Sequence, residues 1–408
     1  MKAVVFHGIG DIRLDNVPEP KLKDPTDAIV RLTASAICGT DLHLIRGTLT
    51  GMKTGRILGH EGVGVVEEVG KGVRNLNKGD RVVIPSTVAC GYCSYCRDGW
   101  YSQCDNANPD GSQAGTVFFG GPEDSGGLDG LQAEYTRVPF AHVGLVKLPE
   151  EVKDDEAILL SDIFPTGYMA AELADICPGR TVAVFGCGPV GQFVIASLKL
   201  LGAGRIFAVD TIPSRLEMAR AQGAEIIDFN QEDPVKALQG LTGGIGVDRA
   251  IDAVGVDAVK PHHGPASRGV KADKLEQEVK EVAQKTNPKD GNWEPGDAPS
   301  LVLDWMVESV AKGGRISVIG VYSEMSRTFP IGQAMGKNLT VKMGNCNHRK
   351  YIPHLVELVA TGAVQPTKIL THVGPMTSAL EAYKHFDKRE PGWIKVMLEP
   401  VPSPARAA

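Results

Sequence analysis

The most informative stretch for the fold is Thr181-Val-Ala-Val-Phe185-Gly186-Cys-Gly188-Pro189-Val190-Gly191. Its first five residues form an apolar, β-branched run typical of a buried strand, and a helical pattern follows through Lys199. Glycines spaced G-x-G-x-x-G between a strand and a helix allow a tight turn, a close approach of the backbone to a pyrophosphate and close packing of the helix on the strand. The phosphates would lie at the helix N-terminus. The stretch therefore predicts a dinucleotide-binding turn in which Gly186, Gly188, Pro189, Val190 and Gly191 contact the cofactor.

An acidic residue further along the chain supports the same interpretation. Asp210 ends the next strand-like run, Ile206 to Val209, at about the separation expected for an acid that holds ribose hydroxyls. Its charge would repel a 2′-phosphate, so the sequence favours NAD over NADP. Arg215 is a further candidate contact to the cofactor, and its positive charge leaves NADP open. The alternative for Asp210 is a solvated turn residue.

This turn belongs to a longer alternation of strands and helices that begins after about Asp162. The apolar runs rich in Val and Ile are Thr181 to Phe185, Ile206 to Val209, Asp248 to Ala253 and Arg315 to Ile319. Alternation with helical stretches predicts a parallel, doubly wound sheet. A Pro, Gly and Lys-rich insertion, Val256 to Ser300, interrupts it and contains one amphipathic helix from about Val270 to Lys285. We interpret the insertion as surface decoration or oligomer packing, with a cover over the adenosine end of NAD as the alternative.

The flanks of this region are organised differently. From Lys2 to Val83 the sequence consists of short β-rich pieces, such as Ala28 to Leu32 and Gly62 to Val69, separated by turn residues. After about Cys346, two helical segments (Tyr351 to Thr361 and Thr377 to Phe386) precede a closing strand, Trp393 to Leu398. We therefore expect a β-rich domain in residues 1–162, a nucleotide domain in residues 163–345 and a C-terminal part, residues 346–408, that completes the first domain.

Composition narrows the possible functions. The 408 residues are 42% hydrophobic and 23% charged, as in ordinary globular proteins, and their number suggests two large domains. Lys and Arg total 43 against 49 for Asp and Glu, a formal charge of −6 without a basic stripe. Neither nucleic acid nor a membrane is expected as a partner. The first fifteen residues lack the pattern of a signal peptide, which favours a cytoplasmic protein.

Four of the eight cysteines crowd into one short segment. Cys90, Cys93, Cys96 and Cys104 follow one another at spacings of three, three and eight. Thiolates so spaced can complete a tetrahedral shell around zinc, with no open position for a substrate. The segment, about residues 88–106, therefore predicts a structural zinc lobe. Redox-active or incidental loop thiols are the alternative.

A second set of candidate metal ligands is sparser. The sequences Cys38-Gly-Thr40-Asp41-Leu-His43 and Gly59-His60-Glu61 place a thiol, two imidazoles and carboxylates in one β-rich region. Spacing alone does not determine which of them converge on one ion. A lone Cys or His in such a region is more often a packed core residue.

Together, the Cys-Gly-Thr-Asp start at Cys38, the Gly-His-Glu-Gly-Val-Gly sequence, the four-cysteine lobe and the dinucleotide turn resemble the medium-chain zinc alcohol dehydrogenases over nearly the whole chain. The resemblance is closest to the formaldehyde dehydrogenase and dismutase branch, because Ser161-Asp162-Ile-Phe-Pro-Thr166 carries aspartate where many relatives carry a cysteine ligand. It implies an α/β protein with a GroES-like β-rich catalytic domain and a Rossmann coenzyme domain. It also implies that Cys38, His60 and Asp162 hold a catalytic zinc whose fourth position stays open.

The resemblance also implies roles around that metal. Glu61 would approach the zinc and assist ligand exchange, and Asp41 would orient the histidine ligand. Thr40 would accept the proton of the substrate, and His43 would pass it on to solvent.

Two further residues are implied to bind the cofactor. Thr166 would contact the nicotinamide side of NAD. Lys395 would be a base near the pyrophosphate.

The function implied is hydride transfer between NAD and a primary alcohol or aldehyde, including hydrated formaldehyde, with two zinc ions per chain, one catalytic and one structural. An aldehyde dismutase with tightly retained NAD is an alternative. A zinc-free NADPH-dependent alkene or quinone reductase of the same fold would lack both metal sets, and a non-catalytic member would have a damaged metal site. The resemblance also implies a homo-oligomer, either a tetramer or a dimer, as is typical of the family.

Overall fold

The computed structural model describes residues 1–111 and 115–400. The strands are β1 (Lys2–Gly8), β2 (Asp11–Asn16), β3 (Ala28–Ile37), β4 (Gly62–Val69), β5 (Arg81–Ile84), β6 (Tyr135–Val138), β7 (Val146–Lys147), β8 (Thr181–Phe185), β9 (Arg205–Asp210), β10 (Glu225–Asp228), β11 (Val247–Asp252), β12 (Val310–Val318), β13 (Thr340–Met343), β14 (His372–Pro375) and β15 (Val396–Glu399). The helices are α1 (Gly39–Arg46), α2 (Ser94–Arg97), α3 (Ala141–Gly144), α4 (Asp154–Leu160), α5 (Ile163–Leu173), α6 (Pro189–Leu200), α7 (Pro213–Ala221), α8 (Pro234–Leu241), α9 (Ala272–Val282), α10 (Leu301–Ser309), α11 (Ile331–Gly336), α12 (His348–Ala360) and α13 (Ala379–Asp387).

One sheet contains six parallel strands in the order β10-β9-β8-β11-β12-β13. Parallel neighbours need crossover connections, which the helices between these strands provide. Since the chain runs outward in both directions from β8, the order reverses between β8 and β11, and ligands of such sheets bind at the carboxyl ends of the strands there. The predicted doubly wound parallel sheet is confirmed.

The dinucleotide turn joins β8 to α6 at this point of reversal. Gly186 has φ +90°, a conformation that L side chains rarely adopt. A side chain at Gly191 would collide with the carbonyl oxygen of Gly186, so α6 packs close to the strand only with glycine there. Gly188 precedes the helix as its N-cap, and Pro189 occupies the first turn, where its missing N–H costs no hydrogen bond.

The other large sheet is β14-β15-β3-β4-β5-β7, with β6 paired to β3. It is antiparallel apart from the β14 and β15 pair. Val396 of β15 pairs with Ile37 of β3, so the strand nearest the C-terminus joins the sheet formed by the N-terminal strands. This is the β-rich, GroES-like part of the predicted fold. The boundaries at residues 162 and 345 stay predictions.

The insertion between β11 and α10 contains α9, slightly shorter than the predicted helix. Leu275 and Val282 are buried, as expected for an amphipathic helix, whereas Val279 is half-buried. Among residues 1–111 and 115–400, no helix combines the length and the apolar character needed to cross a bilayer.

Candidate active site

Four potential metal donors converge although they come from three stretches of chain. One donor atom each from Cys38, His60, Glu61 and Asp162 lies within 4.8 Å of the others, and all four residues are buried. Cys38 links β3 to α1, His60 and Glu61 directly precede β4, and Asp162 precedes α5. Because β3 and β4 are antiparallel neighbours, the end of one lies beside the start of the other, which brings Cys38 next to His60.

The separations of three of these donors match a tetrahedral zinc shell. Sγ of Cys38 lies 3.6 Å from Oδ2 of Asp162, and Nε2 of His60 lies 3.4 Å from the same oxygen. Ordinary zinc bonds at tetrahedral angles place sulfur and oxygen about 3.6 Å apart, and nitrogen and oxygen about 3.4 Å apart. The structure therefore places the three predicted ligands where one zinc ion could bind them all.

The other nitrogen of His60 faces a carboxylate. Its Nδ1 lies 3.1 Å from Oδ1 of Asp41, although the geometry is too poor to count as a hydrogen bond. Asp41 is itself held by the backbone N–H of Cys38, 3.0 Å from Oδ2. An imidazole with one nitrogen toward a metal and the other toward a carboxylate is a recurring arrangement that fixes the ring. This position suits the orienting role predicted for Asp41.

Lys395 requires a correction. Its Nζ lies 2.6 Å from Oε1 of Glu61 and donates to the carbonyl oxygen of Ile37 at 3.1 Å, and the residue is fully buried. It does not line the cleft described below. The prediction that Lys395 is a base near the pyrophosphate is therefore wrong: its positive charge compensates a buried carboxylate beside the metal donors.

His348 is a contact that the sequence analysis missed. Its Nε2 lies 2.7 Å from Oδ1 of Asp162, and its Nδ1 lies 3.0 Å from Oγ1 of Thr87. Thr166 also approaches Oδ1 of Asp162, at 3.4 Å, so the structure places Thr166 beside the metal donors. The two oxygens of Asp162 are thus divided: Oδ1 faces His348, and Oδ2 faces Cys38 and His60.

In this cluster, burial and neighbouring polar groups shift the pKa values of His60 and Asp162 in opposite directions. Although burial disfavours its protonated form, the Asp41 carboxylate and the Cys38 thiolate hold the pKa of His60 well above its usual value. Burial would raise the pKa of Asp162, but hydrogen bonds with His348 and His60 hold it well below the usual range. Burial raises the pKa of both Cys38 and Glu61.

The cluster also contains a buried carboxylate oxygen without a hydrogen-bond partner, Oε2 of Glu61. Unsatisfied buried oxygens and nitrogens are rare and call for an explanation such as an ion. A sulfur, an imidazole nitrogen and carboxylate oxygens are ligands that zinc accepts. The residues therefore fit a zinc ion, which would be held by Cys38, His60 and Asp162 with Glu61 close by.

The second donor group is the predicted cysteine lobe. Sulfur atoms of Cys90, Cys93, Cys96 and Cys104 lie within 4.8 Å of one another, and all four thiols are free. Backbone N–H groups donate to the sulfurs. The N–H of Cys90 lies 3.2 Å from Sγ of Cys104, and the N–H of Cys93 lies 3.4 Å from Sγ of Cys90. Although burial opposes the shift, backbone hydrogen bonds lower the pKa of Cys93 to about 7. The lobe suits zinc bound through thiolates alone.

A cleft of about 950 Å³ opens at the carboxyl ends of β8 and β11. Gly186, Gly188, Pro189, Asp210 and Arg215 line it, as predicted for cofactor-binding residues, whereas Val190 and Gly191 do not. Oδ2 of Asp210 accepts from the backbone N–H of Cys187 at 2.7 Å, and Oδ1 accepts from that of Thr211 at 2.7 Å. Asp210 is therefore a structured turn residue and not a solvated one.

The cleft continues along the first helix, where Gly39, Leu42 and His43 form part of its wall. Cys38 immediately precedes that helix and Thr40 lies half-buried in its first turn, so the metal donors adjoin the cleft. His43 is only 5% exposed, and its Nδ1 lies 2.7 Å from Oδ2 of Asp257. Its Nδ1 thus faces a buried carboxylate, and its role in passing the substrate proton on to solvent stays a prediction.

Three guanidinium groups, those of Arg46, Arg215 and Arg389, also line the cleft. Desolvation and, less strongly, the positive charges of Arg46 and Arg215 lower the pKa of Arg389 to about 10. Guanidinium groups along the wall of a cleft suit an anion such as a pyrophosphate. Arg46, Arg389 and Asp257 carry no motif that would have identified them. His348 lies two residues after Cys346, and its nearness to a cysteine was the only available signal.

Comparison with known proteins supports the fold and indicates a family. The family model described as the alcohol dehydrogenase GroES-like domain matches residues 24–150, and the one described as zinc-binding dehydrogenase matches residues 189–261. The chain is similar to an alcohol dehydrogenase of known structure, TADH from Thermus sp. ATN1. The two are 35% identical, the match covers 98% of this chain and 100% of the other, and the TM-score is 0.79.

Two curated relatives match over nearly their whole length. The uncharacterized zinc-type alcohol dehydrogenase-like protein AdhB of Bacillus subtilis is 38% identical, covering 98% of this chain and 100% of the relative. The glutathione-independent formaldehyde dehydrogenase of Pseudomonas aeruginosa is 33% identical, covering 98% of this chain and 97% of the relative. The chain therefore belongs to the zinc-dependent medium-chain alcohol dehydrogenase family.

Proposed function

We propose that this protein is a zinc-dependent dehydrogenase that transfers a hydride between NAD and a primary alcohol or aldehyde. The observation that carries the proposal is the set of Cys38, His60 and Asp162 donors at zinc-compatible distances, beside a cleft at the carboxyl ends of a doubly wound sheet. A zinc-free alkene or quinone reductase would need neither this set nor the cysteine lobe. A non-catalytic member would show a damaged donor set.

When bound, zinc would act as a Lewis acid that makes an alcohol hydroxyl acidic, and the nicotinamide would accept the hydride. The residues of the chain would perform the remaining tasks. The hydroxyl of Thr40, in the first turn of α1, would receive the substrate proton, and His43 would take it one helical turn further along the cleft wall. The Glu61 and Lys395 pair would balance charge beside the donors.

The cofactor is proposed to be NAD, with Thr166 near its nicotinamide end. Asp210 lies in the cleft at the end of β9, where a carboxylate would accept hydrogen bonds from ribose hydroxyls and repel a 2′-phosphate. Arg215 in the same wall could bind a 2′-phosphate, so NADP is the competing cofactor.

The test combines metal analysis with initial rates on purified protein. We expect two zinc ions per chain and higher kcat/KM with NAD than with NADP on a series of primary alcohols, with hydrated formaldehyde included. Asp162→Asn should lose activity, whereas Asp110→Asn, which changes an exposed aspartate, should not. A protein with intact zinc but no hydride transfer to either cofactor would refute the proposal.

An aldehyde dismutase that retains NAD is the second candidate. It is favoured by Asp257, Ala258 and Val259, because these first residues of the insertion line the cleft and are not surface decoration. The insertion is also fastened elsewhere, since the backbone N–H of Trp293 donates to Oδ2 of Asp387 at 2.6 Å. The test is to denature freshly purified protein and to assay the supernatant for NAD. A dismutase would release one NAD per chain, whereas a cofactor-free preparation would exclude retention of NAD.

We also propose a homo-oligomer. Strand β13 is an edge of the six-stranded sheet, and Ile331, Met335 and Met343 near it are exposed. Open strand edges and exposed apolar side chains favour pairing with another chain. Light scattering coupled to size exclusion would identify a dimer or tetramer, and a monomer at micromolar concentration would refute this.

A further inference from the structure

The insertion contributes a buried carboxylate to the wall of the cleft. Asp257 is 4% exposed, and its Oδ2 lies 2.7 Å from Nδ1 of His43 and 2.8 Å from a guanidinium nitrogen of Arg46. Its Oδ1 accepts from the backbone N–H of Gly296 at 2.9 Å. Both oxygens are thus satisfied by donors from two parts of the chain that are far apart in sequence.

This arrangement determines which nitrogen of His43 carries the proton. Burial alone would raise the pKa of Asp257, but Arg46 and His43 hold it far below its usual value, so the carboxylate is ionised. An ionised carboxylate only accepts hydrogen bonds, so Nδ1 of His43 must be the donor. In the neutral imidazole, the proton is then on Nδ1, and Nε2 has a free lone pair.

The second nitrogen of His43 is directed elsewhere. Among the described residues, none forms a hydrogen bond with Nε2. This nitrogen is also not a fully buried atom, so it is open to the cleft that His43 lines. A proton acceptor needs a free lone pair on the side from which the proton arrives. The bond to Asp257 therefore leaves the required nitrogen available.

We infer that Asp257 is a positioning residue of the proton relay: it fixes the tautomer and orientation of His43, so that the insertion completes the catalytic machinery. The inference rests on the proposed dehydrogenase function. The other charged groups around the imidazole are Arg46, Asp387 and Arg389; Arg46 pairs with Asp387 at 2.7 Å, and Arg389 donates to the backbone oxygen of Asp257 at 3.2 Å. None of these three forms a hydrogen bond with His43.

Asp387 provides a matched control. Like Asp257, it is a buried carboxylate that pairs with Arg46 and accepts from the insertion backbone, but it forms no hydrogen bond with His43. If Asp257 only holds the insertion in place, Asp257→Asn and Asp387→Asn should have similar kinetic effects. If it positions His43, the two variants should differ.

The kinetic test is a comparison of kcat/KM in a double-mutant cycle. We expect Asp257→Asn to lower kcat/KM about 100-fold, within the usual range for general-base catalysis. Asp387→Asn should lower kcat/KM much less. In a His43→Gln background, Asp257→Asn should change kcat/KM by less than about twofold.

A second measurement needs no enzyme activity. With ¹⁵N-labelled histidine, long-range ¹H–¹⁵N spectra of the zinc-loaded protein should show His43, assigned by its loss in His43→Gln, as the Nδ1–H tautomer. An Nε2–H tautomer would overturn the inference, as would equal losses from Asp257→Asn in both backgrounds. A protein inactive with every substrate would refute the proposed function and leave the tautomer result to decide the positioning role.

Discussion

The ammonium group of Lys395 lies 2.6 Å from the Glu61 carboxylate, and both side chains are completely buried. Burial would lower the pKa of Lys395, but the adjacent Glu61 raises it above its usual value, so the lysine is charged. Glu61 directly follows a zinc donor, and its second oxygen has no hydrogen-bond partner. Lys395 therefore allows a second carboxylate to lie beside the metal donors without an uncompensated negative charge.

Replacing Lys395 should destabilise the protein. Lys395→Met leaves the Glu61 carboxylate buried without its partner, and we expect the free energy of unfolding to fall by about 3–5 kcal/mol. Guanidinium unfolding followed by fluorescence measures this loss. Lys388→Met, at an exposed lysine in the same region, is the control and should change stability little. Equal stability of the two variants would show that the buried pair contributes nothing.

The cysteine lobe should bind zinc independently of the catalytic donors. Cys96→Ser removes one buried sulfur from the group, and we expect zinc to fall from two ions per chain to one. The thermal midpoint should fall as well. Cys177→Ser, at an exposed thiol outside both groups, should keep two ions. Plasma emission analysis of dialysed protein gives the number of zinc ions per chain. Two zinc ions per chain in Cys96→Ser would contradict the interpretation of the lobe as a zinc site.

His348 should strengthen zinc binding through Asp162. Because its Nε2 holds Oδ1 of Asp162 at 2.7 Å, His348→Leu frees that carboxylate to rotate. We expect the affinity of this site for zinc to fall about 10–100-fold, the usual effect of losing a partner that orients a ligand. Competition with a chromogenic chelator measures it. His354→Leu, at an exposed histidine of the same helix, should not change the affinity. The same zinc affinity in both variants would show that His348 does not support zinc binding.

The sequence predicted the parts of the fold and site that depend on local patterns. Strands β4 and β8 have the predicted bounds, because alternating or continuous apolar runs between glycines determine a strand locally. The glycine-rich turn and the four-cysteine lobe are likewise short contiguous motifs. For Asp162, spacing gave no signal, and only the resemblance to relatives indicated that it reaches Cys38, from which it is 124 residues distant.

What the sequence did not reveal depends on contacts between distant segments. Asp257 meets His43 across 214 residues, and Lys395 meets Glu61 across 334 residues. Neither pairing leaves a periodic or spaced pattern, because a buried ion pair needs only that the two side chains meet in the folded chain. For that reason the sequence does not reveal that Lys395 pairs with Glu61, nor that the first residues of the insertion form part of the cleft.

Asp210 should determine the choice of cofactor. Asp210→Asn keeps an oxygen for the backbone N–H groups of Thr211 and Ile212, but it loses the acceptor for the N–H of Cys187 and removes the charge. We expect the preference for NAD over NADP, measured as the ratio of kcat/KM values, to fall about 10–100-fold, because a hydrogen bond to a charged group contributes about 1.5–3 kcal/mol. Asp228→Asn, at the end of the neighbouring strand β10, is a control outside the cleft. An unchanged ratio in Asp210→Asn would remove Asp210 from cofactor selection.

The most direct test of the central claim is anomalous X-ray diffraction at the zinc absorption edge on crystals of the purified protein. We expect two anomalous peaks per chain, one within the cysteine lobe and one bonded to Cys38 Sγ, His60 Nε2 and Asp162 Oδ2 beside the cleft. A single peak in the lobe, with the side chains of Cys38, His60 and Asp162 directed away from one another, would contradict it.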